Sequence, residues 1–380
     1  MTELRVGTIG YGFMGKIHTY SYKSIPMIFE PAPATIKLVG VAVRSAASRK
    51  LAQVQGGYEF ATDDWRDIIA RDDIDVINCC VPNYLHKDVV IAAIRAGKHI
   101  YCDKPLTGRL SEAEEIVAVE RQAVDEGLTR TRMMAHNNRF VPALMRAKEL
   151  IEEGRIGRIF TFNFRFLHSS NIDATKPLLW KSDRTVGGGV LVDIGSHIID
   201  LARWLMGDFK RVLSHPFSQI KERPDPATGR LKPVTGDDAT FLMAELMDGA
   251  VGMLEASKLA TGSNDELSVE IRGEKGALVF NLMDPNWLRF FDNMVPEGPL
   301  GGERGFTLIE SVQRYPKPAE TPGPKVSVGW PRFHIQSMYE FVRRVCANQP
   351  GVPSFSDALA VERIIDACYE HPGQWVDVAQ

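Results

Sequence analysis

Lys104 sits in Cys102-Asp103-Lys104-Pro105-Leu106, just after Lys98-His99-Ile100-Tyr101, a short apolar run that reads as a strand. A lysine amine at a strand end can give a proton to a substrate oxygen or take one from it, and a neighbouring cation would ease its loss of a proton. Taken alone, Asp-Lys-Pro is an ordinary surface turn, stiffened by Pro105. A second stretch runs Gly187-Gly188-Gly189-Val190-Leu191-Val192-Asp193-Ile194-Gly195-Ser196-His197. Asp193 and His197 stand at i and i+4, one face of a helix. Histidine moves protons near neutral pH, and a nearby carboxylate orients and tunes it. The same pair could hold a metal, but no second pair accompanies it, so no metal is expected.

The third stretch is Gly10-Tyr11-Gly12-Phe13-Met14-Gly15, which follows an N-terminal strand and opens a helix. In that context the first glycine allows a tight turn, the second lets a pyrophosphate reach the backbone, and the third lets helix and strand pack closely. The helix N-terminus adds N–H groups and partial positive charge. Gly10, Gly12, Phe13, Met14 and Gly15 are therefore expected to hold a dinucleotide. An NAD site usually carries an acid at the end of the second strand. Here Val43-Arg44-Ser45 stands there instead. Arg44 and Ser45 could hold a 2′-phosphate, which leans the expected cofactor from NAD toward NADP. Pro82 and Asn83, after the third strand, are expected walls of the same site, and Asp103 a partner for ribose hydroxyls. His86 is expected to cap or pack at the next helix start.

The first third alternates strand-like runs (Leu4 to Ile9, Lys37 to Val43, Asp75 to Cys80, Lys98 to Cys102, Arg132 to His136) with helical ones (Arg44 to Gln55, Trp65 to Ala70, His86 to Ala96, Ser111 to Gly127). The strands are Val- and Ile-rich without alternating polarity, as in strands buried on both faces. The fold class is α/β, beginning with a Rossmann-type doubly wound parallel sheet. Ser111 and Glu114 have capping-box spacing. Beyond residue 140 the pattern changes. Pro142 to Glu153 reads as a helix, Arg158 to Phe166 as a strand with one aromatic face, and Ala239 to Met247, Ala250 to Ser257, Leu267 to Gly273 and Ala277 to Asn281 as further strands with hairpin turns between some of them. That half is expected to form an α/β domain with an open, mainly antiparallel sheet. Arg223 to Pro233, Pro296 to Gly302 and Pro316 to Pro324 read as surface loops, and His334 to Cys346 and Asp357 to Tyr369 as closing helices. The expected domains are 1–140 and 141–380, with the closing helices able to pack back on the first.

The chain has 380 residues, 44% hydrophobic and 24% charged, with a formal net charge of -3. That balance argues against nucleic acid or an anionic membrane as the main partner. The five cysteines (Cys79, Cys80, Cys102, Cys346, Cys368) form no C-x-x-C pair and read as buried thiols in a reducing compartment. No signal-peptide pattern opens the chain and no apolar run has the length of a membrane span, so a cytoplasmic location is expected.

Together the turn Gly10 to Gly15, the pair Pro82-Asn83, Asp103-Lys104-Pro105 and the Asp193…His197 helix resemble the Gfo/Idh/MocA family of sugar and inositol dehydrogenases. Asp103 stands where that family has glutamate. Ile25 to Ala34, Pro177 to Trp180 and Trp375 to Val378 resemble one branch of it. The resemblance implies NAD(P)-dependent hydride transfer at a ring hydroxyl of a sugar, anhydrosugar or cyclic polyol, with Lys104, Asp193 and His197 carrying the proton chemistry. Asn137 is expected near the cofactor, and Arg139, Trp180 and Lys181 near the substrate. Two other functions fit the same residues: a glycosidase or lyase using transient oxidation, and a ligand sensor without turnover. An open sheet face must be covered, so a homodimer or homotetramer is expected.

Overall fold

The structure, a computed structural model, describes residues 2–379. Six short strands build the first sheet: β1 Glu3–Ile9, β2 Thr35–Ala42, β3 Phe60–Thr62, β4 Val76–Cys79, β5 His99–Cys102 and β6 Arg132–Met134. All neighbours are parallel, in the order β3-β2-β1-β4-β5-β6. That order reverses direction at β1, and in open α/β sheets ligands collect at such a switch point, outside the strands' carboxyl ends. The connecting helices are α1 Phe13–Ile28, α2 Ala46–Leu51, α3 Trp65–Ile69, α4 His86–Arg95 and α5 Leu110–Asp125. β4 and β5 are fully buried but for His99, which explains their unbroken apolar character. β3, only three residues long, escaped the sequence pattern. α5 starts at Leu110 with Arg109 at its N-cap, so Ser111 lies inside the helix and the expected capping box does not open it.

The second sheet has nine strands. Helix α6 Pro142–Glu152 leads into β7 Ile159–Leu167, and α7 Ser196–Met206 precedes β8 Phe209–Phe217. A small hairpin, β9 Glu222–Pro224 and β10 Leu231–Pro233, occupies the segment expected as a plain loop. β11 Ala239–Leu246, β12 Val251–Ser257, β13 Glu266–Gly273, β14 Gly276–Asn281, β15 Trp287–Asp292 and β16 Phe306–Glu310 follow. The order is β16-β15-β14-β13-β7-β12-β11-β8-β17, closed at one edge by β17 Trp375–Asp377. Every pairing is antiparallel except β7 with β12. One face is apolar: Phe162, Phe164 and Phe166 of β7 are buried on the side where α6 and α7 pack. The other face carries Phe241, Met243, Val251 and Met253, all exposed.

Two further helices, α8 Trp330–Cys346 and α9 Phe355–Glu370, complete the chain. The chain divides into two compact units, Met1–Phe140 with Tyr315–Glu362, and Val141–Arg314 with Arg363–Gln380. The second unit is not one unbroken stretch, because α8 packs on α1 inside the first unit. Phe29 of α1's end stacks on Tyr339 of α8 at 3.7 Å, a large apolar contact that outweighs chain proximity. The helical run 184–206 is long and apolar enough to cross a membrane, which the sequence reading had not found; 78% of its apolar window is buried inside the protein, as in a core helix. Of the cysteines expected to be buried, Cys346 is exposed.

Candidate active site

The first unit gathers its expected residues along one sheet edge. β1, β4 and β5 are neighbours, so their carboxyl ends present the glycine turn, the Pro82-Asn83 turn and the Lys104 turn side by side. The three glycines divide their work as the spacing implies. Gly10 has φ +96°, and a Cβ there would stand 2.5 Å from the Cys80 carbonyl oxygen. A Cβ on Gly15 would stand 2.3 Å from the Gly10 oxygen, while at Gly12 nothing lies within 4 Å. The turn is thus close-packed underneath and open at Gly12, a cradle that fits a pyrophosphate approaching the backbone. α1 begins there with no side-chain cap and no acidic residue in its first turn, leaving its first N–H groups for an anion. Phe13 projects from the helix start, 70% exposed, beside Trp330 of α8 at 5.8 Å. Met14 is half-buried.

At the end of β2, Arg44 and Ser45 are exposed, and no acid occupies this place. Ser45 caps α2 by accepting from the Ser48 N–H at 3.3 Å, so its hydroxyl has a structural task as well. Asn83 is buried and Pro82 half-buried. Asp103 differs from the expectation of a ribose ligand alone, because its Oδ1 accepts the N–H of Lys104 at 2.9 Å and shapes the turn itself. Asn137 and Arg139 lie in a short helical turn after β6 and are buried; Asn137 donates to Asn138 Oδ1 at 3.3 Å, and Arg139 stands 3.8 Å from the Asp357 carboxylate.

Sequence reasoning missed two histidines beside this edge. His18 of α1 has Nδ1 within 2.9 Å of Asn78 Oδ1 and 3.1 Å of Cys80 Sγ, and its ring lies 6.3 Å from that of His334 of α8. Among the described residues, His18 Nε2 and both His334 ring nitrogens are buried without a hydrogen-bond partner. Burial lowers the affinity of both rings for a proton, and His334 is lowered further by His18 and by Lys104. Neither histidine could be found by spacing, since α8 enters this unit from the far end of the chain.

The second unit positions Asp193 and His197. Leu191–Gly195 form a π-helical turn that runs straight into α7. A π turn widens the helix locally and is frequent at functional sites. The expectation of a plain i, i+4 face is corrected here: Asp193 lies in the wide turn and His197 in the α-helix after it. The carboxylate of Asp193 accepts from Lys181 Nζ at 3.0 and 3.1 Å, and from Lys258 Nζ at the end of β12. Lys181, expected near the substrate, reaches the same carboxylate, its ammonium 5.8 Å from the Trp180 ring centroid. Lys258 was missed, because a lone lysine after a strand carries no motif. His197 is half-buried, its ring edge-on to Phe166 at 5.7 Å.

The start of this helix is held by another missed residue, Asp237. It is buried, and its oxygens accept from the Val190 N–H at 3.0 Å, the Leu191 N–H at 3.1 Å, Thr240 Oγ1 at 2.8 Å and the Tyr369 hydroxyl at 2.5 Å. A Cβ on Gly189 would fall 2.4 Å from Asp237 Oδ1 and 2.5 Å from the Tyr369 hydroxyl, and its φ is +123°. Glycine at position 189 admits this anchor.

Both halves of the chain resemble known proteins. The description "Oxidoreductase family, NAD-binding Rossmann fold" matches residues 4–125, and the GFO/IDH/MocA C-terminal domain matches residues 144–279. Levoglucosan dehydrogenase of Pseudarthrobacter phenanthrenivorans is 35% identical, over 100% of this chain and 99% of that protein. Myo-inositol 2-dehydrogenase of Thermotoga maritima is 26% identical over 72% of this chain and 74% of that protein. A solved structure of levoglucosan dehydrogenase in complex with NADH and levoglucosan superposes with a TM-score of 0.93, covering 100% of both chains at 35% identity. The chain is a member of the Gfo/Idh/MocA family of NAD-binding oxidoreductases.

Proposed function

We propose that the protein oxidises a ring hydroxyl of a sugar, an anhydrosugar such as levoglucosan, or a cyclic polyol, or runs the reverse reduction. The observation that carries the reaction type is the adjacency of the open Gly12 cradle and the Lys104 turn on one carboxyl edge. The substrate class is supported by the chain-long likeness to an enzyme named levoglucosan dehydrogenase. Gly10, Gly12, Gly15 and the start of α1 would hold the dinucleotide, which when bound supplies the hydride acceptor. His197 takes the hydroxyl proton as general base. Asp193, held by Lys181 and Lys258, sets the charge beside it. Lys104 stabilises the developing alkoxide and shares its proton. Arg139 and Trp180 complete the substrate contacts.

Arg44 at the β2 end favours the 2′-phosphate of NADP, since a guanidinium grips phosphate in two places. The exposed apolar residues Phe241, Met243, Val251 and Met253 on the open sheet face favour a homo-oligomer joined there. A screen of sugars, anhydrosugars and polyols at the nicotinamide absorbance, with NAD and NADP in parallel, tests the whole reading. Cofactor reduction with levoglucosan or a cyclic polyol is the expected result. Dinucleotide binding with no turnover across the panel would overturn it, and product without net cofactor reduction would point to a lyase or glycosidase.

A further inference from the structure

The turn that carries Lys104 continues through Pro105, Leu106, Thr107 and Gly108 to the N-cap of α5 at Arg109, outside any helix or strand. Leu106 and Thr107 are almost wholly buried, at 0% and 1% exposure. Buried backbone that belongs to no helix or strand still needs hydrogen-bond partners, so other elements must supply them. The His86 ring of α4 lies 3.1 Å from the Pro105 and Leu106 carbonyl oxygens. The Thr107 backbone finds its partner in α9, 255 positions along the chain. Glu362 Oε1 accepts the Thr107 N–H at 2.5 Å, and Oε2 stands 2.7 Å from Thr107 Oγ1. The same Oγ1 stands 2.7 Å from the Arg109 carbonyl oxygen, so it also ties this contact to the start of α5.

Glu362 is 5% exposed, and both of its carboxyl oxygens are directed at one residue. A buried carboxyl is less favourable than an apolar side chain of its size unless its hydrogen bonds offset the lost water. Seating α9 does not require it. Phe355, Ala358 and Leu359 of α9 belong to the same apolar core as Leu106, Ala113 of α5 and Val89 and Val90 of α4. Apolar packing thus fixes the helix, and the carboxyl fixes the turn against it. The turn is held at two points that bracket the lysine. At its start the Lys104 N–H donates to Asp103 Oδ1 at 2.9 Å. Three residues on, Thr107 is held by Glu362, with Pro105 stiffening the chain between.

We propose that Glu362 is a positioning residue for the reaction: through Thr107 it fixes the backbone that aims Lys104. This rests on the role assigned to Lys104 above. The test is a double-mutant cycle on the full chain, with turnover of the best substrate of the panel, NADH affinity and the urea midpoint read for every variant. Glu362→Ala should lower kcat by on the order of 10–100-fold and change NADH affinity by no more than about 3-fold, because misplacing one reacting group acts on turnover. Placed in Lys104→Met, the same substitution should lower kcat by less than about 3-fold further, since residues that act through one another are not additive. A full additional loss in that background would overturn the proposal, because a carboxyl that only stabilises the fold acts whether or not the lysine is there. Wild-type kcat in Glu362→Ala would end it as well. Glu362→Gln keeps an acceptor for the N–H and a polar group for the hydroxyl, so kcat should stay within about 3-fold of wild type. A loss as large as that of Glu362→Ala would sink the assignment to these two contacts. Should Glu362→Ala fail to fold, Thr107→Val removes the hydroxyl contact alone and should lower kcat by about 3–10-fold, again only while Lys104 is present. An unchanged kcat in Thr107→Val would count against the proposal. Wild-type turnover in Lys104→Met by itself would overturn the reading of Lys104, an outcome distinct from additivity in the cycle.

Discussion

The two units hold their candidate residues in contrasting ways. Around Lys104 the polar partners are buried: Tyr101 donates to or accepts from Ser337 at 2.7 Å, His18 meets Asn78, and Thr107 is gripped by Glu362. Around Asp193 the partners are full charges in partial contact with water, with Lys181 48% and Asp193 20% exposed. The first arrangement is set by the parallel sheet and its turns, and it tolerates little change, because each buried polar atom needs its one partner. The second is set by charge and leaves room for adjustment, since exposed ion pairs contribute little to stability.

The largest expected effect breaks the charged half at its centre. His197→Ala should lower kcat by roughly 10²–10⁴-fold as the loss of a general base. Turnover within an order of magnitude of wild type, followed at the nicotinamide absorbance, would remove His197 from that role. Next comes the buried anchor of the second unit. Gly189→Ala forces a Cβ onto Asp237 and Tyr369 at a positive φ, and should destabilise the protein by roughly 1–3 kcal/mol in urea unfolding. Asp237→Ala should cost about 1–2 kcal/mol through the lost cap on Val190 and Leu191. An unchanged urea midpoint in both variants would refute the anchor.

Acid should separate the two halves. His99 is lowered to about 4 by burial and by Arg130 and Arg132, and burial lowers His18 and His334 as well. The native first unit keeps these rings neutral, so the unfolded chain takes up protons first once the pH drops below the ordinary histidine value of about 6.5. The stability they confer is present above that pH and is lost as the pH falls toward about 4. Hydrogen exchange between those limits should show the first sheet opening before the second; the reverse order would contradict the comparison. The smallest effects test the lysines. Lys258 is 13% exposed and Lys181 48%, so Lys258→Met should depress turnover more than Lys181→Met. For Lys181→Met the stability change should stay within about 1 kcal/mol. Equal effects would mean that burial does not grade the two contacts.

Much of this site was legible in the sequence where chemistry is local. The glycine turn, the Lys104 turn and the helix of Asp193 and His197 each declare themselves within about fifteen residues, because backbone conformation and helix spacing are short-range constraints. Other parts were hidden for opposite reasons. The π-helical turn at Leu191–Gly195 has no composition of its own, and the three-residue β3 is too short for a periodic signal. Asp237, Lys258 and Tyr369 are single residues that reach Leu191, Asp193 and Asp237 across 46 to 132 positions.

By itself, the sequence determined the α/β class, the dinucleotide turn and the residues able to move a proton, since these depend on φ, periodicity and side-chain chemistry over one turn or strand. Tertiary structure alone decided that α8 returns to the first unit with His334, that two lysines share Asp193, and that His86 bridges two strand-end turns. Those are long-range pairings, chosen by which buried polar groups can satisfy one another once the apolar faces have packed.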